Sequence, residues 1–265
     1  MNQQLLQFAP DRRALVTGGA SGFGLGVVDR LVAVGARVVA ADINPDALRT
    51  IADRYPHDAV FPLEMDVRED ESVRAGVATA VGLLGGLDTV VNSAGVFQFR
   101  ALEEISTREW DWILDVNLRG TFLVTREAMP HLKASSDRGR VVNVASDAGK
   151  RGWPLLAAYS TSKFGVVGFT QAVAAEVGPS GVRVNAVCPA TVADTGMGQV
   201  VLRQKVELGW GTDAEDVLRR GANSFPLRRL GTVADVADAI MFLISDNSSW
   251  ISGESINVDG GSLAG

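Results

Sequence analysis

Arg13-Ala14-Leu15-Val16-Thr17 runs directly into Gly18-Gly19-Ala20-Ser21-Gly22-Phe23-Gly24-Leu25-Gly26. The first five residues form a short, largely apolar strand, and Val27, Val28, Leu31 and Val32 beyond the glycines recur at helical spacing. Strand, glycine turn and helix follow one another in that order. Gly18, Gly22 and Gly24 are spaced to let backbone approach a pyrophosphate at the helix N-terminus. A glycine-rich turn on its own serves as often merely to turn the chain. The next element decides between the two readings. A second strand, Arg37 to Ala41, ends in Asp42, where an acidic side chain about 20 positions after the glycines accepts hydrogen bonds from an adenosine ribose.

The alternation continues down the chain. A helix over Pro45–Arg54 leads to a strand at Val60–Met65 ending in Asp66-Val67. A helix over Glu69–Leu84 leads to a strand at Leu87–Val91 ending in Asn92-Ser93-Ala94-Gly95. One long helix is expected from Thr107 to about Leu132, with Asn117 in its middle. A strand from Arg140 to Ala145 ends in Ser146, and another from Val182 to Val187 ends at Cys188-Pro189. A last helix, Val233–Ile244, and a last strand, Ser255–Val258, close the pattern. Strand–helix alternation predicts an α/β fold, a doubly wound, mostly parallel sheet of seven strands with helices on both faces. Ligands in such sheets bind beyond the carboxyl ends of the strands, where Asp42, Asp66 and Asn92 stand. Without a linker or low-complexity tract, residues 1–265 read as one domain, with a glycine-bearing stretch at about 190–225 as a candidate lid.

Ala157 to Gly165, Ala-Ala-Tyr-Ser-Thr-Ser-Lys-Phe-Gly, supplies the chemistry. Tyr159 and Lys163 stand four apart on a helix, so a phenol and an ammonium share one face. A nearby cation favours phenolate, and the expectation is a Tyr159 drawn below its ordinary value of about 10. A tyrosine so tuned exchanges a proton with an alcohol or a carbonyl. Alone, the pair reads first as a helix anchor and a solvated lysine, and other parts of the chain overturn that reading.

Of the residues, 46% are apolar and 21% charged, with a net charge of −6, an ordinary globular balance that disfavours nucleic acid or an anionic membrane as partner. One Cys and two His leave no soft-ligand metal cluster to assemble. The first ten residues, MNQQLLQFAP, lack the basic and apolar regions of a leader, and the apolar run at 27–41 is interrupted by charges, so the expected location is cytoplasmic.

Taken together, these motifs resemble the short-chain dehydrogenase/reductase family over nearly the whole chain. Thr17–Gly24 is similar to that family's cofactor glycine motif, and Asn92–Gly95 to its NNAG segment with Ser93 for the second Asn. Asn117, Ser146, Tyr159 and Lys163 match its catalytic tetrad, and Arg183-Val184-Asn185 and Ile256–Gly261 match two further signatures. The resemblance implies a Rossmann-type oxidoreductase that binds a nicotinamide dinucleotide, with Asp42 pointing to NAD. It implies cofactor contacts from Gly18, Ser21, Gly22, Phe23, Gly24, Asp42, Asp66, Val67, Asn92, Ala94, Gly95, Tyr159, Lys163, Pro189, Thr191, Val192 and Thr195. Asp194 occupies the family's usual Thr position, and Thr195 follows one residue late. It also implies a homotetramer, Ser146 as a hydrogen-bond partner of the reacting oxygen, and Asn117 as support for a water beside Lys163.

The substrate is expected to be a small polar secondary alcohol or its ketone, such as a polyol or sugar derivative. Ser146 and Tyr159 would meet its oxygen, with Lys150, Arg151 and Trp153 bordering the pocket and Trp210 as a further wall. A 3-oxoacyl-thioester reductase is the alternative, and a non-catalytic nucleotide sensor a third.

Overall fold

Seven strands pair in parallel in the order β3-β2-β1-β4-β5-β6-β7. They are β1 Arg13–Thr17, β2 Arg37–Asp42, β3 Val60–Glu64, β4 Thr89–Asn92, β5 Arg140–Val144, β6 Arg183–Pro189 and β7 Ser255–Val258. The structure is a computed structural model that describes residues 6–8, 11–135 and 137–264. Most of the N-terminal stretch read as lacking leader features, residues 1–5, 9 and 10, lies outside the described residues.

Side chains alternate across the sheet with the strand period of two. Ala14 and Val16 of β1 face one apolar layer, with α1 (Gly22–Ala33), α2 (Pro45–Arg54) and α9 (Val233–Ile244). Leu15 faces the other, with α3 (Asp70–Leu84), α5 (Gly120–Lys133) and α6 (Ala157–Val177). Both faces being covered, the central strands carry consecutive apolar residues, as in Val90-Val91 and Val141-Val142. Strand order reverses between β1 and its neighbours β2 and β4, and the crevice at that switch point is where such sheets take ligands.

The long helix expected from Thr107 is not uniform. It is α4 (Thr107–Leu114), then a π-helical turn at Asp115–Arg119, then α5. Asn117 lies inside the wide turn and is buried. A residue inserted into the helical ladder swings its neighbours round, and such turns concentrate at functional sites. The stretch at 190–225 contains α7 (Gly196–Glu207) and α8 (Ala214–Ser224). Among the described residues no helix is long and apolar enough to cross a membrane.

The end of the sheet away from the crevice holds a cluster of buried charge. Asp88, fully buried, lies 3.6 Å from the Arg12 guanidinium, 3.3 Å from Arg13 and 3.5 Å from Arg138. Arg12 also faces Asp246 at 3.6 Å and donates to Thr89 Oγ1 at 3.0 Å. Removing one partner of such a set strands the others in low dielectric. Asp88→Asn should therefore lower the free energy of unfolding by about 3 kcal/mol, read from urea denaturation, with no change of fold by circular dichroism.

Candidate active site

The glycine turn is built by close approach. Gly18 adopts φ +61°, and a Cβ there would lie 3.0 Å from the Ala94 backbone. A Cβ at Gly24 would lie 2.1 Å from the Gly18 carbonyl oxygen. Gly24 thus folds the turn onto itself, while Gly18, Ser21, Gly22 and Phe23 line the cavity beyond it. Thr17 Oγ1 accepts the Ser93 and Ala94 N–H groups at 3.1 and 3.2 Å, fastening the turn to the end of β4.

The cavity is about 700 Å³ and runs along the carboxyl ends of the strands. At one end stands Asp42, whose carboxylate accepts the Ala20 N–H at 3.2 Å and the Asn44 N–H at 3.1 Å. Asp66 and Val67 line it too, with Ala94, Gly95, Pro189, Thr191, Val192 and Thr195. Arg68 also lines it, gripping Asp66 through Nε and Nη2 at 3.0 and 2.6 Å and holding that carboxyl below its ordinary range. Arg49 is the next cation along the chain after Asp42. Arg49 pairs with Asp46 on the surface, and Arg68, from a distant strand end, shares the cavity instead. Thr195 caps α7 by accepting the Gly198 N–H at 2.8 Å, whereas Asp194 accepts from the Val233 N–H at 3.4 Å.

Three expected cofactor contacts, Gly24, Asn92 and Lys163, lie off the cavity wall. Asn92 Nδ2 donates to Thr125 Oγ1 at 3.0 Å and Asn143 Oδ1 at 2.8 Å, and Asn143 Nδ2 donates in turn to Thr170 Oγ1 at 2.9 Å. This buried polar row ties α5, β4, β5 and α6 beneath the crevice.

At the other end Ser146 and Tyr159 both line the cavity. Ser146 Oγ accepts the Ala148 N–H at 3.1 Å and donates to Asp147 Oδ1 at 2.9 Å. Lys163, one turn along α6 from Tyr159, is buried behind the wall, donates from Nζ to the Val144 carbonyl at 2.8 Å and lies 5.7 Å from the centroid of the Tyr159 ring. The phenol is not drawn down as expected. Burial pushes it up to about 12, the Ser146 hydrogen bond pulls against that, and Asp147 and Cys188 add to the rise. Lys163 is itself lowered to about 8 by burial, and its distance from the phenol leaves desolvation dominant. Burial likewise raises Cys188 to about 11, an inert thiol.

Asn117 stands behind these residues. Its Oδ1 accepts the Val96 N–H at 2.8 Å, and its Nδ2 donates to the Val96 carbonyl and to Ser162 Oγ, both at 3.0 Å. The segment after β4 is thereby pinned to α6, which seats Phe97 edge-on against the Tyr159 ring at 4.8 Å.

Phe97 and Phe99, which sequence reasoning missed, wall the Ser146–Tyr159 end together with the expected Trp153 and Trp210. Phe97 meets Phe99 at 4.8 Å and Phe99 meets Trp210 at 5.2 Å, all edge-to-face. Trp112, Trp153, Leu156, Met197, Val201 and Phe225 complete the apolar lining. Phe97 and Phe99 sit in a loop without periodicity, and only their closeness to Asn92–Gly95 hinted at the site. Lys150 and Arg151, expected to border the pocket, are exposed and outside its lining, with Arg151 stacked 4.8 Å from the Trp153 ring on the solvent side of that wall. The cation that does line this end is Lys205 of α7.

The sequence model of the family described as enoyl-(acyl carrier protein) reductase matches residues 18–262. The 2-(S)-hydroxypropyl-CoM dehydrogenase 3 of Xanthobacter autotrophicus (strain ATCC BAA-1158 / Py2) is 37% identical over 251 residues, covering 94% of this chain and 95% of that one. The chain belongs to the short-chain dehydrogenase/reductase family. It is accordingly an enzyme of the alcohol dehydrogenase and ketoreductase kind. A 3-alpha-(or 20-beta)-hydroxysteroid dehydrogenase of Mycobacterium bovis (strain ATCC BAA-935 / AF2122/97) is 36% identical over 252 residues, 95% of this chain and 89% of that one. Among solved structures, the actinorhodin polyketide ketoreductase with NADPH superposes with a TM-score of 0.90 at 33% identity, over 96% of this chain and 98% of that one.

Asn117→Ala should leave the sheet intact but release the loop at 96–99 from α6. Misplacement of a site by about 1 Å costs on the order of 10²-fold in rate, so kcat should fall by that order while cofactor affinity, set at the other end of the cavity, changes little. Stopped-flow turnover beside a fluorescence titration of the cofactor separates the two.

Proposed function

We propose that this family member is an NAD-dependent oxidoreductase that interconverts a secondary alcohol and its ketone, with Tyr159 as the proton carrier. The observation that carries the reading is one continuous cavity with Asp42 at one end and Ser146 and Tyr159 at the other. A dinucleotide fits the donors present: the start of α1 and the backbone of Gly18 and Ser21 toward a pyrophosphate, and Asp42 toward ribose hydroxyls. When bound, the nicotinamide supplies the hydride acceptor or donor.

The chain's own residues manage the proton. Buried and neutral at pH 7, Tyr159 is set to give its proton to a ketone oxygen, and takes one back in the oxidative direction. Ser146 directs its hydroxyl at the same oxygen as charge develops. Lys163 keeps a positive charge behind the phenol, and Asn117 fixes the loop that bounds the site. The aromatic wall favours a substrate with an apolar body over the small polyol first expected from the sequence. A hydroxysteroid dehydrogenase among the relatives is in keeping with that choice.

NAD is preferred over NADP because a phosphate of about −1.5 to −2 charges would face the Asp42 carboxylate. Arg68 does not offset this, being held in both directions by Asp66. The test is kcat/KM with both cofactors across a panel of steroidal and cycloaliphatic alcohols, polyols and a 3-oxoacyl thioester. The expected outcome is turnover of apolar alcohols with NAD favoured on the order of 10²-fold and loss of nearly all of it in Tyr159→Phe. More than a tenth of wild-type turnover in that variant, or equal use of NADP, would overturn the assignment.

The working form is a homotetramer. Phe122 and Phe164 stand half exposed on α5 and α6, and Phe122 meets Phe169 at 6.3 Å, so these helices carry aromatic surface that a second copy would cover. Light scattering at micromolar concentration should give four times the chain mass, and a monomer would exclude it.

A further inference from the structure

Ser146 has one hydroxyl proton and three acceptors that compete for it. Asp147 Oδ1 lies at 2.9 Å and the Pro189 carbonyl at 3.5 Å, and Tyr159 is the third. An ionised carboxylate is the strongest acceptor of the three. We propose that Asp147 is a positioning residue whose charge decides where the Ser146 proton points: toward Asp147 when the carboxylate is ionised, toward the substrate oxygen when it is protonated. This rests on the oxidoreductase reading for its consequence on rate, but not for the hydrogen bond itself.

The surroundings make that charge adjustable. Asp147 lines the cavity, and burial raises its carboxyl above the ordinary range, with Ser146 and the Ala148 N–H pulling against the rise. Asp259, in the segment after β7, pushes the same way as burial, and Lys205 of α7 opposes it. Tyr159 of α6 and Cys188 of β6, both neutral near pH 7, also feel the Asp147 charge, and the Lys150 and Lys163 ammoniums reach the same Cys188. No ion pair within 4.0 Å joins Asp147 to Lys205 among the described residues, so the ammonium acts through space. Protonated Asp147 can donate to Ser146 Oγ, which frees the serine proton. Ionised, it holds that proton, and a ketone oxygen loses one of its two donors.

The sign of the pH effect follows. Ketone reduction should be fastest below the Asp147 midpoint and fall about tenfold as pH rises through it, the effect of one lost hydrogen bond. Asp147→Asn and Asp147→Ala are neutral at every pH, so both should lose this fall while keeping the later decline due to Tyr159. Lys205→Met removes the charge that favours the carboxylate and should move the fall to higher pH without abolishing it.

A second measurement needs no turnover. In protein with carbon-13-labelled aspartate, the Asp147 carboxyl resonance, identified by its absence in Asp147→Asn, gives the midpoint directly. Ser146→Ala removes a donor to the carboxylate and should raise that midpoint, as should Lys205→Met. An unchanged midpoint in Ser146→Ala overturns the proposal whether or not the enzyme turns over, and so does a pH profile that Asp147→Ala leaves in place. If no alcohol or ketone reacts at all, the oxidoreductase reading fails, and the resonance shifts still decide whether Asp147 holds the serine proton.

Discussion

One buried amide holds the reactive end together. Asn117 satisfies both backbone groups of Val96 and the hydroxyl of Ser162, so a loop, a helix and the wide turn between α4 and α5 meet on one side chain. A buried amide is costly when unpaired, and its several bonds specify a single arrangement. The Phe97 ring then has one seat, against Tyr159. The position of the Tyr159 ring depends on that seat.

The fold was legible because its signals are local. An apolar run, a glycine turn and a helical repeat each declare themselves within a dozen or so residues, and α2, α9, β1 and β7 have the limits their sequence suggests. The π-turn was not legible. Nothing in Asp115–Arg119 breaks the 3.6-residue pattern, and only packing of Asn117 against Val96 and Ser162 explains the extra residue. Asn92 shows the opposite failure. It stands at a strand's carboxyl end, where a ligand contact is expected, yet the pleat turns its side chain inward to Thr125 and Asn143.

Charge was the harder property to read. Tyr159 and Lys163 have the spacing that brings a cation beside a phenol, but spacing says nothing of desolvation, which moves both groups toward their neutral forms. Lys150 and Arg151 sit next to Ser146 in sequence and face solvent, whereas Lys205, some sixty positions on, lines the cavity. Neighbourhood along the chain and neighbourhood in the site differ most where loops carry the wall.

The row formed by Thr125, Asn92, Asn143 and Thr170 has a meaning for assembly of the sheet. Asn92 and Asn143 are direct partners across β4 and β5, and the positions before them, Val90-Val91 and Val141-Val142, are nearly interchangeable valines. Apolar contacts among valines tolerate sliding, since one valine packs much like the next. Amides do not. A shift of β5 by a single residue would turn Asn143 to the opposite layer and leave Asn92 and Thr170 facing hydrocarbon. The two amides thus act as an alignment mark beyond the uniform valines, and the ends of β4 and β5, from which the loop of Phe97 and the hydroxyl of Ser146 project, arrive level with each other because of it.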